Sequence, residues 1–261
     1  MYKRKIHLAA NWKMNHTLTT VESYASSFIK AFEHSVESVC SAVDITLAVP
    51  SLFVTETKKI FAHYGINIAV QNAHFEEKGA FTGEISTLML KDAGINHVIV
   101  GHSERRTLFH ENQEIVHKKL RAALKQNLSV ILCLGESKEE RLSNQTNHIL
   151  EQQLSSALLD IRSLDNVVIA YEPVWAIGTG LTASPDQAQE AHAYIRDFIK
   201  EKYGKAQSES TQILYGGSMK PEVTKELLAM EDVDGGLVGG ASLDPQSFAK
   251  MIQIAYEFSK N

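Results

Sequence analysis

The sequence predicts an α/β fold, a single-domain (β/α)8 barrel with eight parallel strands and an outer ring of helices. Three observations predict it. Short apolar or β-branched runs alternate with longer helical patterns from end to end of the 261 residues. Eight such runs can be counted, and units of roughly 25 to 40 residues suit a barrel of about 250. Runs such as Val98-Ile99-Val100 are apolar without alternation, as expected for strands covered on both faces of a parallel sheet.

In chain order the strands are expected at Ile6–Asn11, Ile45–Val49, Ile68–Gln71, His97–Gly101, Ser129–Leu134, Val167–Tyr171, Gln212–Tyr215 and Gly236–Val238. Between them, apolar residues recur at helical spacing. Val21, Tyr24, Ala25, Phe28 and Phe32 share one face; so do Ala188, Ala191, His192, Ile195 and Ile199, and later Phe248, Met251, Ile252 and Ala255. Ser184-Pro185 and Asp244-Pro245 each offer an N-cap followed by proline at the first helical position. Thr19 to Glu22 has capping-box spacing, with Thr17 as the competing cap. A doubly wound open sheet is the alternative, but no G-x-G-x-x-G follows the first strand. No linker or low-complexity tract divides the chain, so residues 1–261 are expected to form one catalytic barrel.

Composition narrows the function. Hydrophobic residues make up 44% and charged residues 22%, ordinary for a globular protein. A net charge of -5 argues against a nucleic-acid partner, and an anionic ligand would need a local positive field. Cys40 and Cys133 form neither a disulfide framework nor a zinc pattern. The apolar stretch near the start is cut by Asn11 and Lys13, which speaks against a signal peptide. No run approaches the roughly 20 apolar residues of a membrane span, so a cytoplasmic protein is expected.

Two features break the pattern. Residues 72–86 are polar, contain Gly79 and Gly83, and are long for a βα loop, which points to function over a solvated excursion. Four strand ends also carry unusual polar residues, at the barrel end where active sites lie. Asn11 and Lys13 close the first strand; His102, Ser103 and Glu104 follow the fourth; Glu172 ends the sixth; Ser218 follows the seventh. Tyr215-Gly216-Gly217-Ser218 and Gly239-Gly240 set glycines where backbone N–H groups can approach an anion. Singly, Lys13 reads as a solvated lysine, His102 as a structural histidine and Glu172 as an ion-pair member. Together they suit proton abstraction beside a carbonyl: a carboxylate base, with imidazole and ammonium stabilising the enolate oxygen. That chemistry interconverts an aldose and a ketose and needs no metal or organic cofactor.

These residues resemble triosephosphate isomerase. Asn11-Trp12-Lys13-Met14-Asn15, Gly101-His102-Ser103-Glu104-Arg105-Arg106, the segment from Glu172 to Gly180, Tyr215-Gly216-Gly217-Ser218 and the stretch from Asp234 to Leu243 match its signatures in order, across almost the whole chain. The resemblance implies isomerisation of D-glyceraldehyde 3-phosphate and dihydroxyacetone phosphate in glycolysis and gluconeogenesis. It implies Glu172 as base, His102 as electrophile, Lys13 as the positive charge and Asn11 beside the oxygen. Gly178, Ser218, Gly239 and Gly240 would bind phosphate through backbone N–H groups. A glutamate base, a neutral histidine and a closing loop are this family's own established arrangement. It further implies a lid between Pro173 and Gly180, with Glu136 meeting Trp175 at one hinge and Tyr215 and Ser218 holding the closed form. A homodimer would form through loop 72–86, with Thr82 reaching the neighbour's site. Cys133 would be a buried structural thiol, and the stretch from Leu142 to Thr146, which departs from the family, would lie on a surface helix.

Physical reasoning adds detail. A helix starting after Ser103 would aim N–H dipoles at His102 and favour neutral imidazole. Ile177 and Leu237 are apolar residues expected near Glu172, so closure should exclude water from the carboxylate and strengthen it as a base. Two rival functions are a Schiff-base aldolase using Lys13 as the amine and a non-catalytic scaffold barrel.

Overall fold

The computed structural model describes residues 4–32, 36–177 and 183–260. In order these form β1 (Ile6–Asn11), α1 (Leu18–Ala31), α2 (Val36–Ala42), β2 (Val43–Val49), α3 (Val54–Phe61), β3 (Asn67–Val70), α4 (Thr87–Asp92) and β4 (His97–Val100). The second half follows as α5 (Ser103–Leu108), α6 (Gln113–Lys125), β5 (Ser129–Leu134), α7 (Lys138–Leu142), α8 (Thr146–Ala157), β6 (Val167–Tyr171), α9 (Pro185–Tyr203), α10 (Lys205–Ser210), β7 (Ile213–Tyr215), α11 (Pro221–Leu228), β8 (Gly235–Val238) and α12 (Pro245–Ser259). The strands run in sequence order as a closed barrel, all neighbours parallel. Closure comes from β1 against β8, in the register His7↔Gly235 to Ala10↔Val238.

The predicted strands are present with small shifts. The second begins at Val43, two residues early, because α2 leads into it directly. The fourth stops at Val100, because Gly101 turns away with φ 74°. Ser184 and Asp244 cap α9 and α12 as their prolines suggest. The first cap is Thr17, not Thr19: its hydroxyl accepts from Thr20 N–H, and the Thr20 side chain returns the bond to Thr17 N–H. Threonine fills the position where a capping box more often has glutamate or glutamine. The stretch from Leu142 to Thr146 is not one helix: Leu142 ends α7, Thr146 begins α8, and residues 143–145 turn between them.

The helical faces read from the sequence are buried against the barrel. Phe28 of α1 meets Phe61 of α3 edge-on at 6.0 Å and stacks on Phe248 of α12 at 5.9 Å. Such aromatic pairs contribute about 0.5–1.5 kcal/mol each beyond area burial. They fix α1, which governs the direction in which the β1–α1 turn leaves the barrel.

Inside the barrel the residues form tiers. An apolar cluster spanning more than one tier holds Ala9, Ala48, Ala69 and Ala170 with Ile99, Ile131, Cys133, Leu214 and Leu237. Below it the lining is polar: His7 Nε2 lies 2.8 Å from Thr46 Oγ1, and a cavity of about 320 Å³ is edged by His7, Asp44, Asn67, His97, Ser129 and Gln212. Burial pushes His97 down to about 4. Outside this end, Arg196 spans Asp232 (2.6 Å) and Asp234 (2.7 Å), and Arg4 adds a second bond to Asp234 (2.6 Å). Asp234 in turn accepts Ile213 N–H at 2.8 Å, tying β7 to β8 where their ladder is short.

Candidate active site

The upper end of the barrel holds a cavity of about 810 Å³. Asn11, Lys13, His102, Glu172, Ser218, Gly239 and Gly240 all line it, together with Trp12, Ile177, Gly216 and Leu237. Seven of the eight residues singled out in the sequence are thus brought together from five strand ends. The eighth, Gly178, lies outside the described residues.

Glu172 follows directly on β6 and is 1% exposed. One carboxylate oxygen accepts the backbone N–H of Ser103 at 2.8 Å; the other faces His102 Nε2 at 3.1 Å. Its Cγ packs on Gly216, where a Cβ would stand 2.7 Å away, so a bare backbone at 216 lets the carboxylate sit there.

His102 is the N-cap of α5, and its Nδ1 accepts Glu104 N–H at 3.2 Å. An accepting Nδ1 leaves the ring hydrogen on Nε2, the atom that faces Glu172 and the cavity. A backbone N–H of the first turn of α5 thus points at the ring and orients it. Arg106, on the same helix, donates to Gly101 O (2.7 Å) and Cys133 O (3.0 Å), locking the turn that presents His102 to the end of β5.

Lys13 has φ 52°, a left-handed conformation that costs a non-glycine residue of order 1–3 kcal/mol and persists only when its surroundings over-determine it. Here Lys13 N–H donates to Asn11 Oδ1 (3.0 Å), and Gln71 Nε2 donates to Lys13 O (2.9 Å) and Ala48 O (3.0 Å). Two side chains thus pin both ends of one residue. The ammonium pairs with Glu104 at 2.5 Å, and Lys13 Cε lies 3.4 Å from where a Cβ on Gly239 would stand.

Beyond Glu172 the chain turns at Pro173. Glu136 Oε1 accepts both Tyr171 OH and Trp175 Nε1–H at 3.0 Å, and Val174 N–H bonds Glu136 O at 3.0 Å. Burial raises the pKa of this carboxyl, against the lowering effect of its hydrogen-bond donors. Past the undescribed stretch, Ala183 N–H donates to Tyr215 OH at 3.3 Å, whose phenol is pushed up to about 12 by burial.

Sequence reasoning missed several members of this site. Gln71 closes a strand but binds backbone, which no motif reports. Ser103 was noted only as part of a strand end, although its N–H holds Glu172. Glu104 was noted without its pairing to Lys13, 91 residues away.

Comparison with known proteins agrees with the geometry. A sequence model of the family described as triosephosphate isomerase matches residues 6–255. Curated proteins named triosephosphate isomerase are similar over nearly full length. The one from Thermodesulfovibrio yellowstonii is 43% identical over 249 residues, covering 95% of this chain and 99% of that protein. That from Aquifex aeolicus is 45% identical over 246 residues, covering 94% and 97%. That from Endomicrobium trichonymphae is 46% identical over 254 residues, covering 97% and 99%.

Proposed function

The chain belongs to the triosephosphate isomerase family, and on that premise we propose how its residues divide the work. The protein is an isomerase that interconverts D-glyceraldehyde 3-phosphate and dihydroxyacetone phosphate. The whole chain, 1–261, acts as one catalytic domain, within glycolysis and gluconeogenesis.

The observation that carries the division of roles is the convergence of a carboxylate, an imidazole N–H and an ammonium on one cavity, with Glu172 only 3.1 Å from His102 Nε2. With dihydroxyacetone phosphate bound, its carbonyl oxygen lies between His102 Nε2–H and Lys13 Nζ. Glu172 takes a proton from C1, and the electron pair left behind forms the C1–C2 double bond of an enediolate. The carbonyl oxygen carries the developing negative charge, facing the two donors. The proton of the C1 hydroxyl then passes to the C2 oxygen and the carboxyl returns its proton to C2, giving the aldehyde at C1 and a hydroxyl at C2. Asn11 holds the oxygen side by fixing Lys13. Backbone N–H groups at Gly178, Ser218, Gly239 and Gly240 bind the phosphate.

To act, Glu172 has to exchange the Ser103 N–H for the substrate C–H. That forfeits a charge-assisted hydrogen bond, and remote binding of the phosphate offsets the loss. Ile177 and Leu237, both in the cavity wall, supply the apolar cover. The aldolase reading is not favoured, because Lys13 Nζ is engaged by the Glu104 carboxylate. The scaffold reading is not favoured either, because the base and its electrophiles are all present.

The functional unit is a homodimer joined through loop 72–86. Two observations support this. The loop is stitched internally, with His74 N–H to Ile85 O at 2.8 Å and the His74 ring 4.2 Å from Phe81. Phe81 on the loop is open to solvent, as are Met89 just after it in sequence and Met14, which is 95% exposed. No described helix is long and apolar enough to cross a membrane.

A coupled assay with both triose phosphates tests the assignment through Glu172→Gln. The loss of general-base catalysis should lower kcat by about 10²–10⁴-fold. A variant that keeps activity within about tenfold of wild type would overturn the role of Glu172.

A further inference from the structure

We propose that Tyr24 is a positioning residue that fixes the turn Gly239–Ser242, and so sets the affinity for phosphate; this rests on the phosphate site proposed above. Tyr24 lies on α1, more than 200 residues from the turn, and its hydroxyl donates to Ser242 O at 3.0 Å.

The need for that donor follows from the local sequence. Ser242 shapes the turn from inside: its N–H bonds Gly239 O at 2.9 Å, and its hydroxyl reaches Gly239 O at 2.7 Å and Val238 O at 2.9 Å. Its own carbonyl is buried with the residue, which is fully enclosed. The next turn of chain offers it little. Pro245 has no N–H. Gln246 N–H and Ser247 N–H go to the Asp244 carboxylate at 3.4 and 3.0 Å. Phe248 N–H goes to Asp244 O at 3.1 Å. The Asp244-Pro245 start that launches α12 therefore strands the Ser242 carbonyl, and an unmet buried carbonyl is costly. Tyr24 meets it from across the barrel rim.

Tyr24 is well placed to be a fixed donor. It is 3% exposed and wedged between rings: Trp12 edge-on at 4.8 Å, His16 at 5.5 Å and Phe28 stacked at 5.9 Å. Burial raises its phenol well above the ordinary range, so it remains a donor at working pH. Trp12 lines the cavity and precedes Lys13. One ring thus touches both the lysine side and the phosphate side of the site, and its hydroxyl holds the two at a fixed separation.

Tyr24→Phe removes the oxygen and keeps the ring packing. Three quantities separate positioning from general damage: steady-state kinetics with glyceraldehyde 3-phosphate, competitive inhibition by inorganic phosphate, and turnover of phosphate-free glyceraldehyde. The variant should raise KM and the phosphate Ki together by about three- to tenfold, the range of one buried neutral hydrogen bond. It should leave kcat within about twofold and kcat/KM for glyceraldehyde unchanged. Ser242→Ala, which loosens the same turn from inside, should move the same two constants and serves if the first variant folds poorly. Unchanged KM and Ki, or a parallel fall with glyceraldehyde, would overturn the role of Tyr24. Wild-type protein that phosphate does not inhibit would remove the phosphate site itself, and this role with it.

Discussion

The acid limb of stability should carry the signature of His192. This ring sits on α9, fully buried, edge-on to Tyr171 at 5.8 Å. Its Nδ1 meets Asp232 O at 3.1 Å, while Nε2 has no partner among the described residues. Nδ1–H donates to the carbonyl, so protonation would put a second N–H against an apolar wall with nothing to accept it. Burial, with a smaller contribution from Arg196, pushes the ring from 6.5 down to about 4, against the opposing pull of Asp232. Between those values the unfolded chain binds a proton that the folded chain refuses, so stability falls as pH drops through the window. At about 1.36 kcal/mol per pH unit the full loss is roughly 3 kcal/mol, most of it spent by pH 4.5. His192→Asn can keep the donor to Asp232 O while removing the titrating ring. It will be less stable at neutral pH, but that offset is common to every pH. Urea unfolding followed by circular dichroism, at equal subunit concentration near pH 7 and near pH 4.5, isolates the difference. Wild type should lose roughly 2–3 kcal/mol more than the variant over that interval. Equal losses, within about 0.5 kcal/mol, would refute the idea that this ring is buried neutral.

Two further outcomes follow from packing. Gly216→Ala sets a methyl group 2.7 Å from Glu172 Cγ and 3.0 Å from Tyr171 O, displacing the proposed base. Its kcat should fall by about 10- to 100-fold while thermal unfolding shifts only a few degrees, and an unchanged kcat would show that Glu172 does not need that berth. Met14→Glu places a charge at the most exposed large apolar residue among those described, next to Lys13, whose carbonyl binds Gln71 at the root of the proposed dimer loop. Light scattering should then show monomer where wild type is dimer, with activity falling alongside; a fully active wild-type monomer at low concentration would remove the dimer altogether.

Much of the architecture was legible because it depends on short-range pattern. The barrel follows from apolar runs that cannot be left exposed, and the faces carrying Phe28, Ile195 and Met251 follow from helical spacing. The strand-end set could be read because topology sends every strand end to the same rim. What could not be read is contact between remote segments. The left-handed backbone of Lys13 leaves no mark in a string of letters, and Gln71 looks like any polar residue closing a strand. The Glu172 carboxylate resting on Ser103 N–H is equally silent, since any residue but proline has that N–H. The Thr17 cap competes with Thr19 in the sequence, and the reciprocal bonds between Thr17 and Thr20 distinguish them only in the fold.

The tier of alanines across the barrel interior works as electrical insulation. Above it stand the charges proposed to handle substrate; below it stand His7, Asp44 and His97, with the apolar cluster between them. Because apolar side chains intervene, the lower compartment can be redesigned on its own terms. Replacing its titrating side chains to extend acid tolerance would alter how long the enzyme survives without altering how fast it turns over. The fold thereby separates durability from catalytic rate within one barrel.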